Sequence, residues 1–119
     1  MVVCTNKLEA SARGLLADLD LLSGFALVAG PDTFGVAKPD PAHLLRCLPE
    51  GRREGGVVVV GDSVVDVRAA QAARLPVVAV RWGYGGMALE SSAPDVFADR
   101  FDDVLAAIPA LAARDGKPV

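Results

Sequence analysis

The sequence predicts an α/β domain built on a mainly parallel sheet. Three observations point there. Short apolar strands alternate with amphipathic helical stretches along the chain. Val57–Val60 and Val77–Val80 are unbroken runs of the kind that is buried on both faces of a parallel sheet. Polar residues able to do chemistry follow the strand runs, and ligands in such sheets bind at the carboxyl ends of the strands.

The elements read in order. Val2-Val3-Cys4 is a short first strand that opens directly after Met1. Leu8, Ala12, Leu15, Leu16 and Leu19 recur at helical spacing and predict a helix with one apolar face. Gly14 inside it costs about 1 kcal/mol relative to Ala. Phe25 to Ala29 predicts a second strand, and Gly30, Pro31, Asp32 and Gly35 mark a loop after it. Asp40 is a good N-cap and Pro41 suits a first helical position, so a helix is expected over 42–48. Residues 49–56 read as a polar, Gly-rich loop. A helix over 64–74 follows the Val57–Val60 strand, and the Gly-rich stretch Trp82 to Gly86 follows the Val77–Val80 strand. Val96 to Ala98 makes a short last strand. Phe101, Val104, Leu105 and Ile108 are spaced for a helix that Pro109 ends or kinks. The domain is expected over 1–113, with 114–119 as a frayed tail.

Composition narrows the function. The 119 residues are 52% hydrophobic and 23% charged, which fits one globular domain. A net charge of −3 gives no electrostatic footprint for nucleic acid and no basic cluster for an anionic membrane. No signal peptide and no transmembrane run is visible, so a cytoplasmic protein is expected. Cys4 and Cys47 lie in apolar surroundings and read as small buried hydrophobes. His43 sits on a helix with no Cys or carboxylate cluster near it in sequence, and reads as structural.

The strand ends gather a hydroxyl, an amide, an ammonium and two carboxylates: Thr5, Asn6, Lys38, Asp62 and Asp66. That set suits a phosphate with a hard cation. Thr5 and backbone N–H groups can donate to phosphate oxygens, and Lys38 can neutralise them. Asp62 can offer carboxylate oxygen to Mg²⁺, which usually takes one or two carboxylates plus waters and substrate oxygens. Each residue has a plainer reading. Ser63 and Asp66 form a capping-box variant, a role that can coexist with metal work. Lys38 also reads as a solvated turn lysine, Thr5 as a strand-end residue or helix cap, and Trp82 to Gly86 as a simple loop. Their shared order at one sheet edge favours the site.

The same strings resemble the haloacid dehalogenase (HAD) superfamily. Val3-Cys4-Thr5-Asn6-Lys7 is similar to its second signature. Gly30-Pro31-Asp32 with Lys38-Pro39-Asp40-Pro41 is similar to the third, and Val57 to Asp62 with Ser63-Val64-Val65-Asp66 to the fourth. The Thr-Asn-Lys, Lys-Pro-Asp-Pro and Trp-Gly-Tyr-Gly strings resemble the phosphoglycolate phosphatase-like group. The resemblance spans about residues 2–108.

It implies a Rossmann-like, three-layer core and a Mg²⁺-dependent phosphomonoesterase working through an aspartyl-phosphate. Thr5 and Asn6 would bind the phosphoryl group of a small phosphorylated metabolite. Lys38 would stabilise nucleophile and phosphoryl, and Asp62 would ligate Mg²⁺. Asp66, with Ser63 beside it, would orient Lys38 or a metal-bound water. The family's Asp-x-Asp signature after a first strand has no counterpart here. Asp18-Leu19-Asp20 follows a helical pattern and comes after Thr5, so it reads as a helix end. The resemblance therefore implies a core lacking its first strand, its cap and its nucleophile, through a truncated gene model, a fragment or a split protein. The missing strand belongs between Val2–Cys4 and Val57–Val60. Two exposed strand edges, inactivity alone, and self-association or pairing with an N-terminal segment are the expectations. A non-catalytic phosphate- and Mg²⁺-binding module is the alternative.

Overall fold

A computed structural model describes residues 1–49 and 56–115. Most of the expected loop at 49–56, and residues 116–119 of the expected tail, lie outside the described residues.

Among the described residues five strands are interleaved with six helices. They are β1 (Val2–Cys4), α1 (Glu9–Asp18), β2 (Leu27–Ala29), α2 (Pro31–Phe34), α3 (Pro41–Leu45) and β3 (Val59–Gly61). Then come α4 (Val64–Ala72), β4 (Val77–Val80), α5 (Gly86–Glu90), β5 (Val96–Ala98) and α6 (Phe101–Asp115). Every strand pairing is parallel. The strands form two sheets, as expected of a core with a gap between Val2–Cys4 and Val57–Val60. β1 pairs with β2, and β3, β4 and β5 pair in that order. Among the described residues β1 and β3 do not hydrogen-bond to each other.

The strand β4 explains the layering. All four of its residues are buried. Val77 and Ala79 pack with Leu44, Val67, Ala70 and Leu89 from α3, α4 and α5. Val78 and Val80 pack with Ala98, Val104 and Leu111 from β5 and α6. Successive side chains in a strand point to opposite faces, so helices must cover both. Each fully buried valine contributes about 1.5–3 kcal/mol. The layers are thus helix, sheet and helix, as expected.

Several boundaries differ from the sequence reading, for local reasons. The strand β2 starts after Phe25, whose N–H donates to Leu22 O at the end of a 3₁₀ turn, Leu22–Gly24. The strand β3 starts at Val59, since the Val57 N–H is taken by the Asp115 carboxylate at 2.9 Å. Part of the loop expected after β2 is the short helix α2. Pro31 opens it, the Gly30 N–H donates to Thr33 Oγ1 at 2.9 Å, and Gly35 ends it at φ 72°. The helix α6 does not end at Pro109 but runs on to Asp115. Arg114, expected to fray, pairs with Asp95 at 2.7 Å. The apolar face of α1 is not buried as its spacing predicts. Ala12 is covered, but Leu15 and the flanking Leu8 and Leu19 are exposed.

No helix among the described residues is long and apolar enough to cross a membrane.

Candidate active site

The carboxyl ends of β1 and β3 face one cleft of about 420 Å³. Thr5, Asn6, Lys38, Asp62, Ser63 and Asp66 all line it, so the structure brings together every residue singled out as a site candidate.

The β1 loop is shaped first. The Thr5 N–H donates to Ala29 O at 2.9 Å, extending the β1–β2 ladder by one rung. Thr5 Oγ1 accepts the Lys7 N–H at 3.0 Å, a local turn that Ser and Thr often make. Asn6 is turned toward the lysine loop. Its Nδ2 donates to Lys38 O at 2.8 Å, and its Oδ1 accepts the Lys38 N–H at 3.0 Å.

Lys38 reaches inward from that loop. Its Nζ donates to Asp66 Oδ1 and to Cys4 O, both at 2.6 Å. The ammonium has three donors, so two are committed and one remains for a ligand. The Lys38 and Asp66 side chains are only 10% and 12% exposed, which makes this a shielded ion pair. The reading of Lys38 as a solvated turn lysine is therefore set aside.

Asp66 is held as tightly as Lys38. Its Oδ2 accepts the N–H groups of Asp62 and Ser63 at 3.1 and 3.2 Å, and the Ser63 hydroxyl at 3.1 Å. Ser63 Oγ in turn lies 3.4 Å from the Asp66 N–H. The capping box read from the sequence is thus present at the start of α4. The same carboxylate caps a helix with one oxygen and anchors Lys38 with the other.

Asp62 is different. Its carboxylate has one long contact, from the Tyr84 N–H at 3.5 Å. It therefore keeps lone pairs to offer a cation. A Cβ on Gly83 would overlap that carboxylate, so the loop after β4 must be bare there to fit around it. Hard oxygen ligands suit Mg²⁺. No group of three or more His, Cys, Asp or Glu that could hold a metal occurs among the described residues. The donor set fits Mg²⁺ as one carboxylate, with phosphate and water oxygens to complete the shell.

Sequence reasoning missed two contributors: the Cys4 carbonyl that holds Lys38, and the Gly83 backbone against Asp62. Only the string Trp-Gly-Tyr-Gly hinted at the second. The pair Asp18 and Asp20 lies at the end of α1 and outside the cleft, as a helix end should.

A second, more apolar groove of about 350 Å³ runs back from the cleft. It is lined by Val2 and Cys4 on one side and by Val57–Val60 on the other. Both cysteines lie on it as free thiols, Cys47 buried and Cys4 half-buried. A hydrogen bond with Cys47 and burial push the Cys4 thiol pKa up. His43 is buried, with Nε2 3.3 Å from Ala29 O and Nδ1 without a partner. It lies outside the cleft lining.

Known proteins resemble this chain. The model of the haloacid dehalogenase-like hydrolase family matches residues 1–80. A phosphoglycolate phosphatase of Mesorhizobium japonicum is 41% identical over 106 residues, covering 86% of this chain and 45% of that protein. One from Pectobacterium atrosepticum is 40% identical, over 100% of this chain and 52% of its own length. A crystal structure described as a predicted phosphoglycolate phosphatase from Haemophilus somnus superposes with a TM-score of 0.82 at 29% identity. It covers 90% of this chain and 48% of that one. The chain spans about half the length of these relatives. With a matching family model, parallel α/β layers and the signature residues gathered in one cleft, the chain belongs to the haloacid dehalogenase-like hydrolase family.

Proposed function

We propose that this chain supplies the phosphate- and cation-handling part of a Mg²⁺-dependent phosphomonoesterase, acting on a small phosphorylated metabolite such as 2-phosphoglycolate in the cytoplasm. The observation that carries the reading is the Lys38 ammonium, held 2.6 Å from Asp66 and aimed into a cleft shared with Thr5 and Asp62. Phosphoryl transfer needs positioning and charge stabilisation more than covalent chemistry from the protein. In this reading Thr5 and the Asn6 backbone N–H bind phosphate oxygens. Lys38 stabilises charge on the transferring group. Asp66 and Ser63 hold Lys38 in place, and Asp62 ligates the cation. When bound, Mg²⁺ would draw electron density from the phosphate oxygens.

The nucleophile is the missing part. Among the described residues the cleft is lined by two carboxylates, Asp62 and Asp66. Asp66 is fully engaged, and Asp62 is assigned to the cation. The aspartate that attacks phosphorus is therefore proposed to come from another segment or chain, and this chain alone turns nothing over. The groove between β1 and β3 favours that reading, because among the described residues both sheets turn edges without a strand partner toward it. An extended segment laid there would end at the cleft. A net charge of −3 without a basic cluster gives nucleic acid and anionic membranes no part in this reading.

The test is phosphate release from p-nitrophenyl phosphate and 2-phosphoglycolate by the purified, folded chain, with Mg²⁺ and with EDTA. No release is expected from the chain alone. Release that requires Mg²⁺ and vanishes in Asp62→Asn would show that the nucleophile is already present and would overturn this account.

A further inference from the structure

We infer that Asn6 is a positioning residue for Lys38: its side-chain amide decides where the ammonium stands in the cleft. The inference deepens the proposed phosphate site and rests on that reading. The two residues are separated by 32 positions, yet their contact is a closed pair of hydrogen bonds, 2.8 Å and 3.0 Å long. Two points of contact fix orientation as well as distance. Among short side chains, only an amide offers a donor and an acceptor side by side to match the N–H and C=O of Lys38. Asn6 spends both its oxygen and one of its Nδ2 hydrogens on this contact, which leaves little of its side chain for a ligand.

The rest of the loop pair supports a positioning role. A second clasp lies farther along the same two segments. The Glu9 N–H donates to Asp32 Oδ1 at 2.9 Å, and the Thr33 hydroxyl donates to Glu9 Oε1 at 2.7 Å. Gly30 sits so close that a Cβ would stand 2.5 Å from Lys7 O. The loops are thus joined without Asn6, and the Asn6 bonds act specifically on the backbone of Lys38. Its Nζ end is held separately by Asp66 and Cys4 O. Lys38 is therefore held at both ends, and losing the backbone end leaves the position of the ammonium to the Asp66 and Cys4 O contacts alone. Groups that bind a reacting phosphoryl must be held within about 0.5 Å of the productive position.

The experiment is NMR of the lysine side-chain ¹⁵Nζ signals in the full chain, with Lys38→Met to assign the Lys38 signal. Inorganic phosphate is then titrated in. Asn6→Ala should shift or erase the Lys38 signal while the backbone spectrum beyond the two loops stays in place. Phosphate should bind about tenfold more weakly, equivalent to about 1.4 kcal/mol. Asn6→Asp keeps the acceptor for the Lys38 N–H and loses the donor, so it should do the same with little change in size. An unmoved Lys38 signal in both variants overturns the inference. So does unfolding of both, since the pair would then be a scaffold contact. If phosphate leaves the wild-type Lys38 signal untouched while Asn6→Ala moves it, the phosphate-site reading fails and the positioning role stands.

Discussion

Lys38 and Asp66 meet at 2.6 Å; the Lys38 ammonium makes its other bond to Cys4 O, and the Asp66 carboxylate makes its others to Asp62 and Ser63. Removing one partner of a shielded pair leaves the other charge without compensation, which costs about 3–5 kcal/mol. Asp66→Ala should fall in that range by urea unfolding. Lys38→Met should cost less, because Asp66 keeps three donors from Asp62 and Ser63. Equal losses in the two variants would contradict this account of the pair.

Gly61 leaves the room that Asp66 fills. An added Cβ would come within 2.5 Å of Asp66 Oδ2. Gly61→Ala should destabilise by about 1–3 kcal/mol through overpacking. It should also disturb Lys38 through Asp66, visible as a shift of the Lys38 ¹⁵Nζ signal.

Asp62 should behave in the opposite way to Asp66. Its carboxylate has only the 3.5 Å contact from Tyr84, so Asp62→Asn should change stability by no more than about 0.5 kcal/mol. Mn²⁺, used as a paramagnetic probe for the Mg²⁺ position, should broaden the signals of Asp62, Ser63 and Gly83 in the wild type. That broadening should disappear in Asp62→Asn. Broadening that persists would place the cation elsewhere.

His43 should make stability depend on pH. Its pKa is lowered, first by burial, while its bond to Ala29 O and the nearby Asp40 oppose the shift and Lys38 adds to it. The folded state thus keeps His43 neutral where the unfolded chain would take up a proton. That contribution is complete above the unfolded value of about 6.5 and is lost as pH falls below it. One such proton gives a slope of at most about 1.4 kcal/mol per pH unit. Urea unfolding between pH 7.5 and 5 should show the loss in the wild type and a flatter profile in His43→Gln. An unchanged profile in His43→Gln would remove this explanation.

How much was legible follows from how local each cause is. The capping box of Ser63 and Asp66 spans four residues, and it formed as read. Asp40 and Pro41 started α3 as read, because an N-cap acts within its own turn: the Asp40 carboxylate accepts the Ala42 N–H at 2.9 Å. The α1 spacing predicted a helix correctly but not its burial. A periodic apolar face says which residues would be covered, and the described residues leave Leu15 exposed.

The sequence by itself determined the α/β class, the parallel character of the strands and the residues that meet at the cleft. The run Val77–Val80 has no polar face, so it could only lie between two layers, and it does. Only the tertiary structure decided how those strands divide. The family resemblance implied a gap between Val2–Cys4 and Val57–Val60, but strand pairing is a choice between distant segments, and no local pattern states that β1 takes β2 and β3 takes β4 on either side of it. The same holds for Lys38. Its charge was visible in the sequence, but its partners come from two stretches of chain remote from it, Cys4 and Asn6 from the end of β1 and Asp66 from the start of α4. Directional hydrogen bonds between remote residues leave no periodicity to read, and they are what turns a loop lysine into the centre of a cleft.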